Sequence, residues 1–244
     1  MEPHSYVAAP GQKGPAMTNR RERALRAALT FVGALAISAC GSARYPAYYM
    51  LNFEPSAQAA ASERGIGSLT IKELECPDYL CEGRIVYRPT PIEVSFYQYH
   101  RWAVSPRAMV AEYLAQRVRA RSLFTSVSGD EPRMATDFVL TGTLERLEEV
   151  DEARQVAALC TISAQLVDTR TRALVWSRMA TERVLVEQRD VAGVVNGLAA
   201  AVRATVDRLV TDMELELGRA AALRDVSSGS LLPRTRSLSF DKWD

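Results

Sequence analysis

An α+β domain is the fold the sequence predicts, one mostly antiparallel sheet of about six or seven strands with two long helices packed on one face. Three observations lead there. Residues 137–150, 155–168 and 173–186 alternate apolar and polar positions and are joined by short links, the mark of an antiparallel meander. Residues 106–118 and 190–213 instead carry apolar side chains at helical spacing. Residues 83–127 run strand, turn, strand, helix and return, the nucleus of a small α+β unit.

The chain opens on a segment apart from that domain. Arg20, Arg21, Arg23 and Arg26 form a positive cluster, followed by an apolar run of 11 residues from Ala27 to Ile37. That run is too short to span a bilayer and fits a secretory signal. It ends at Ile37-Ser38-Ala39-Cys40, small residues before a cysteine, which reads as a lipobox with Cys40 as the acylated (palmitate-bearing) new N-terminus. Met17 leaves a signal of ordinary length, so residues 1–16 read as an upstream extension, 17–39 as the signal and 40–224 as the domain. Two or more acyl chains hold a protein stably at a membrane, where one does so only marginally. Gly41-Ser42 lacks the aspartate that retains many lipoproteins at the inner membrane. By analogy with enteric bacteria this favours the periplasmic side of the outer membrane, with inner-membrane anchoring left open.

Composition is ordinary for a globular domain, 48% hydrophobic and 24% charged with a net charge of +1. It argues against disorder, a coiled coil and a nucleic-acid partner. After removal of the signal the chain is slightly acidic, so membrane attachment rests on the lipid.

Within the domain, Tyr49, Leu51 and Phe53 alternate with Tyr48, Met50 and Asn52 as a first, edge-compatible strand. Residues 55–67 are small and polar, a loop; residues 69–75 read as the next strand. Cys76-Pro77-Asp78-Tyr79-Leu80-Cys81 then places two cysteines across a turn. An oxidising compartment permits a Cys76–Cys81 disulfide. Metal binding is the rival reading, weakened because two cysteines without a nearby histidine make an incomplete zinc site. Arg84–Arg88 and Ile92–Tyr97 form two strand runs separated by Pro89 and Pro91, which cannot continue a ladder. Tyr97, Gln98, Tyr99, His100, Arg101 and Trp102 follow as an aromatic run. Alternation sends some of these rings into the core. The rest, with Arg101, have the composition of a protein interface, so Tyr97, Tyr99, Arg101 and Trp102 are the candidate partner contacts. Ser105-Pro106 starts a helix, and Val110, Leu114 and Val118 give it one apolar stripe.

Beyond a turn at Asp130–Arg133 lies the meander. Cys160 falls among its apolar positions and reads as a small buried residue. Glu148, Glu149, Asp151 and Glu152 read as a solvated turn rather than a cation site. Asp190 opens the last helix, with Val191, Val194, Val195, Leu198, Val202, Val206, Leu209, Val210 and Met213 in period. From Asp225 to Asp244 periodicity is lost, and the segment reads as a disordered tail.

Catalytic signatures do not emerge. His100 is the single histidine after the signal, and no nucleophile elbow, phosphate loop, zinc-protease motif or dinucleotide fingerprint occurs. The reading is no enzyme, no cofactor and no metal. A hydrolase using Ser95 or Ser105 with His100 stays as a minor alternative, testable with a serine-reactive probe.

Four stretches resemble one known family: Tyr48-Tyr49-Met50-Leu51, Pro77-Asp78-Tyr79-Leu80, Gly83-Arg84-Ile85-Val86-Tyr87-Arg88, and Phe96 to Ala103. In order and spacing they resemble the ABC-type transport auxiliary lipoproteins, periplasm-facing partners of transporters that carry mammalian-cell-entry (MCE) domains. The similarity runs from about Tyr45 to about Gly218. The resemblance implies a non-catalytic accessory subunit of a lipid or organic-solvent transport system, with an MCE-domain protein as partner and a ring of identical copies as the assembly. The competing expectation is a structural envelope lipoprotein that stabilises an outer-membrane assembly and never meets cargo.

Overall fold

A computed structural model describes Arg23 and residues 44–54, 65–129, 135–152 and 155–229. The chain divides into two units, Met1–Tyr45 and Pro46–Asp244, and the description below concerns the second. Cys40, the signal apart from Arg23, the upstream extension, the Asp130–Arg133 turn and residues 230–244 lie outside the described residues.

The elements in order are β1 (Ala47–Tyr49), β2 (Ser68–Ile71), the short α1 (Asp78–Cys81), β3 (Arg84–Thr90), β4 (Glu93–Trp102), α2 (Pro106–Ala120), β5 (Ser126–Ser128), β6 (Phe138–Glu152), β7 (Gln155–Asp168), β8 (Leu174–Leu185) and α3 (Val191–Gly229). The class is α+β, with eight strands in one sheet among the described residues rather than six or seven. The strand expected over residues 48–53 is the three-residue β1, and the three-residue β5 is too short for periodicity to reveal it.

The long meander β6–β7–β8 is antiparallel throughout, from Phe138 opposite Asp168 to Ala157 opposite Leu185. Its other side is built in two pieces. The first half of β6 takes β2 as a parallel neighbour, Leu69 beside Phe138 and Ile71 beside Leu140. Glu75 then bridges to Thr143. The second half takes β3, Val86 beside Glu148 and Arg88 beside Val150. β5 extends the first piece through β2; β4 and then β1 extend the second. The long ladders are therefore antiparallel and the short ones parallel.

Pro89 sits inside β3, at a register shift between Tyr87 and Thr90 that spares it a ladder bond. Pro91 and Ile92 make the hairpin turn, so Ile92, expected to open the second strand run, lies outside β4 and is 95% exposed.

Helix α3 is anchored by Asp190, whose carboxylate accepts the Gly193 backbone N–H at 2.7 Å, an N-cap bond. Its Val194, Leu198, Val202, Val206, Leu209 and Met213 are buried. It continues to Gly229, past Asp225 where the sequence suggested a tail. Ser105 stands at the N-cap position of α2 without a side-chain capping bond, and Pro106 begins the helix. α2 lies beside α3, with Arg117 bonded to Asp207 at 2.6 Å and Arg121 to Glu214 at 2.8 Å. Cys160 is buried, and desolvation pushes its thiol up to about 12.

Candidate functional site, an aromatic edge backed by buried charge

The edge formed by β1 and β4 gathers most of the aromatic run. β1 lies parallel to β4 with Ala47 beside His100 and Tyr49 beside Trp102. Strict alternation along β4 fails because the strand bulges: Val86 faces Phe96, yet Arg84 faces Arg101. The bulge brings Tyr97 and His100 to the same side, their rings 5.7 Å apart and edge to face. The Tyr49 hydroxyl and His100 Nδ1 share a hydrogen bond of 3.0 Å, and Tyr87 packs on Tyr97 with ring centres 5.2 Å apart. His100 is thus a packing and hydrogen-bonding residue within this cluster.

The four candidate contacts have four different environments. Tyr97 is half-buried and donates its hydroxyl to the Glu149 carboxylate; burial first, and that bond second, push the phenol well above its usual range. Tyr99 is half-buried and Arg101 exposed. Trp102 is 5% exposed and belongs to the core. Its place as a surface contact is corrected: β1 covers it from one side, and its backbone N–H is committed to the Gly83 carbonyl at 2.8 Å. Its indole N–H has no hydrogen-bond partner among the described residues.

Sequence reading missed the apolar groups that do reach solvent along this edge. Tyr48 is 63% and Met50 56% exposed, and Val104 is exposed beside them in the segment after β4. A groove of about 280 Å³ continues the patch, lined by Leu51, Phe53, Val104, Met109 and Tyr113 among others. The signal was present: alternation that sends Tyr49 and Leu51 inward sends Tyr48 and Met50 outward.

Behind the edge lies a buried charge cluster, which corrects the reading of the acidic run. Glu148 and Glu149 are not turn residues but sit inside β6, Glu148 with no exposed surface. Arg88 grips both oxygens of Glu148 through Nε and Nη2, each at 3.0 Å, and Arg146 bonds the same carboxylate. That bond to Glu148 is the main reason the Arg88 pKa lies above its usual value. Tyr79 on α1 adjoins the cluster, its phenol pushed up by burial and then by the Glu148 charge. α1 itself is closed by a Cys76–Cys81 disulfide, with Cα atoms 6.1 Å apart, and buries Leu80 completely.

Glu149, on the opposite face of β6, supplies a pH test. Burial pushes its carboxyl above the usual range, the Tyr97 bond opposes this, and Asp151 adds to the rise. A carboxyl raised in the folded state stabilises the fold at pH values below its unfolded pKa, and that contribution is lost as pH rises through the folded pKa. Glu149→Gln removes the term while keeping an acceptor for Tyr97. The melting temperature of the variant relative to the native chain should therefore climb between pH 4 and pH 8, expected values spanning about the carboxylate range. A flat difference would show that Glu149 is solvated.

Among the described residues no group of three or more His, Cys, Asp or Glu is placed to hold a metal, and no helix is long and apolar enough to cross a membrane. The arrangement offers an exposed apolar edge with a buried charge cluster behind it.

Comparison with known proteins gives the family. The model of the ABC-type transport auxiliary lipoprotein component family matches residues 49–213, from the end of β1 to within α3. The chain belongs to this family, which is an accessory transport family and not a known enzyme family. Among solved structures, a protein of Xanthomonas campestris is 18% identical with a TM-score of 0.60, covering 72% of this chain and 99% of its own. A second crystal structure, of an uncharacterized protein, is 14% identical with a TM-score of 0.56 and covers 69% and 99%. At these identities the likeness concerns the fold. A PelC dodecamer from Paraburkholderia phytofirmans is more distant, at 16% identity and a TM-score of 0.40 over 63% of this chain and 93% of its own. No curated protein sequence matches the chain.

Proposed function

We propose that this chain is the lipid-anchored, non-catalytic subunit of an ABC-type transport system with an MCE-domain partner, moving lipids or other hydrophobic compounds across the envelope. Acylation of Cys40 holds it at the periplasmic side of the outer membrane. The β1–β4 edge docks the partner, and copies assemble as a ring around the path of the cargo. The observation that carries the reading is the family match over residues 49–213, which coincides with the domain bearing the exposed edge. Docking falls to Tyr48, Met50, Val104 and Arg101, with Tyr99 at the margin, because these side chains reach solvent. Tyr97 and Trp102 support them from below. The disulfide and the Arg88–Glu148–Arg146 cluster keep that support stiff, which lowers the entropy lost on association.

The test is a photo-crosslinking amino acid at position 48 in the full chain, activated in native membranes, with captured proteins identified by mass spectrometry. An MCE-domain protein captured at position 48, and not from a control at exposed Arg172 on the β7–β8 turn, supports the proposal. Capture of cell-wall proteins alone would favour a structural envelope role. Unchanged lipid asymmetry in a deletion strain would point the same way.

A further inference from the structure

The turn between β3 and β4 departs from ordinary turn chemistry. Thr90 pairs with Glu93, which leaves Pro91 and Ile92 as the residues between them. Beside a proline such a turn favours Gly, Asn, Asp or Ser. Here a β-branched apolar side chain stands at the tip, 95% exposed, with exposed Pro91 next to it. A residue that breaks a local rule without a folding benefit marks a functional surface more often than a defect. The turn is also held in place. Arg88, gripped by the buried Glu148, donates through Nη1 to the Pro91 carbonyl at 3.4 Å.

The direction of β1 relates this tip to the anchor. β1 runs parallel to β4, with Ala47 beside His100 and Tyr49 beside Trp102. At Ala47 the chain therefore enters from the side on which β4 begins, the Ile92 end. From Cys40 to Ala47 is seven residues, a reach of at most about 24 Å. From Glu93 to His100 is also seven residues, and a strand of that length covers the same distance. A tether drawn out along β4 thus brings an acylated Cys40 level with the tip and no further.

A second apolar group stands at this end. Arg88 lies beside Val150, Val150 opposite Ala157 and Ala157 opposite Leu185, one row across four strands. Leu185 closes that row half exposed. The charges nearby are acidic: Glu93 follows Ile92, and exposed Asp151 follows Val150 toward the tip. Apolar tips among carboxylates suit a zwitterionic lipid surface and not an anionic one.

We infer that the β3–β4 tip is a membrane-contact surface, with Pro91 and Ile92 entering the headgroup layer of a zwitterionic bilayer beside the anchor. The acyl chains supply the affinity and the tip supplies the orientation. The domain stands end-on, which carries Met50 and Val104, at the far end of β1 and β4, away from the bilayer. This inference rests on acylation of Cys40, as in the proposed function, and on no particular partner.

The test uses the acylated full chain in phosphatidylcholine vesicles, with a nitroxide on a cysteine placed by Ile92→Cys, Met50→Cys or Arg170→Cys. The native cysteines stay unlabelled, because Cys76 and Cys81 are paired, Cys160 is buried and Cys40 carries the lipid. Oxygen concentrates in the bilayer and a charged nickel complex in water, so their relative effects on the spin label read its depth. At position 92 oxygen should relax the label more than nickel does, and at positions 50 and 170 the order should reverse. Adding phosphatidylglycerol at low salt should lower the oxygen-to-nickel ratio at position 92, and added salt should restore it. Vesicle-bound chain whose label at 92 is as open to nickel as that at 170 would overturn the inference and leave the anchor standing. Immersion at position 50 in place of 92 would also overturn it, laying the β1–β4 edge on the bilayer. A chain that carries no lipid and stays off the vesicles would overturn the anchor and the inference together.

Discussion

Glu148→Ala should remove about 3 kcal/mol or more of folding stability, read as a fall in the urea midpoint at unchanged slope. The reason is what it leaves behind. Glu148 is fully buried, and Arg88, whose side chain is 16% exposed, directs two guanidinium nitrogens at it. Without the carboxylate the guanidinium keeps its desolvation penalty and loses its counter-charge, the situation in which breaking a buried pair costs most. Arg146 is the internal control. Its side chain is 39% exposed, so Arg146→Ala should cost only about 1 kcal/mol, the upper end for a solvated pair. Similar losses for the two variants would mean that Glu148 is hydrated in solution and that the cluster does not stiffen the sheet.

Gly142→Ala should be nearly as damaging, about 3 kcal/mol, the upper end for overpacking. A methyl group on Gly142 would stand 2.3 Å from the Ser163 carbonyl oxygen and 3.2 Å from both the Ala164 Cα and a Leu74 methyl. The first obstacle is backbone in the middle of the β6–β7 ladder, so no rotamer change relieves it. β6 must move away from β7 at the point where its other edge receives Glu75. The Leu144 N–H to Glu75 carbonyl bond, 2.8 Å long, should be the first to exchange with solvent. Hydrogen exchange at Leu144, with circular dichroism for the whole fold, checks both parts. An unchanged melting curve would show that the two strands sit further apart than described.

Much of the architecture was legible in the sequence because it is long and periodic. The three meander strands and both long helices follow from alternation and from the 3.6-residue period over many positions. Parallel neighbours were illegible, since nothing local in Leu69–Ile71 or Val86–Arg88 announces that both will share one edge of β6. The acidic run misled for a related reason. Glu148 reads as solvated until Arg88, 60 positions away, is seen to face it. Along the β1–β4 edge, sequence placed Trp102 at the surface, whereas it is buried, because the β4 bulge breaks the period of two. Tyr48 and Met50 were available from alternation in the first strand and were overlooked beside the richer aromatic run.

The divided edge of β6 has a consequence for how the chain acquires its shape. β6, β7, β8 and α3 join through short connections, so their contacts close small loops at little entropic cost. β2 and β3 can add only by spanning long stretches of chain, and as parallel strands they find no template until β6 is already straightened by β7. Ordering is therefore expected to run against the direction of synthesis, the half of the polypeptide made last supplying the surface on which the half made first is assembled. Amides of β6 and β7 should gain protection before those of β2 and β3 in pulsed hydrogen exchange during refolding.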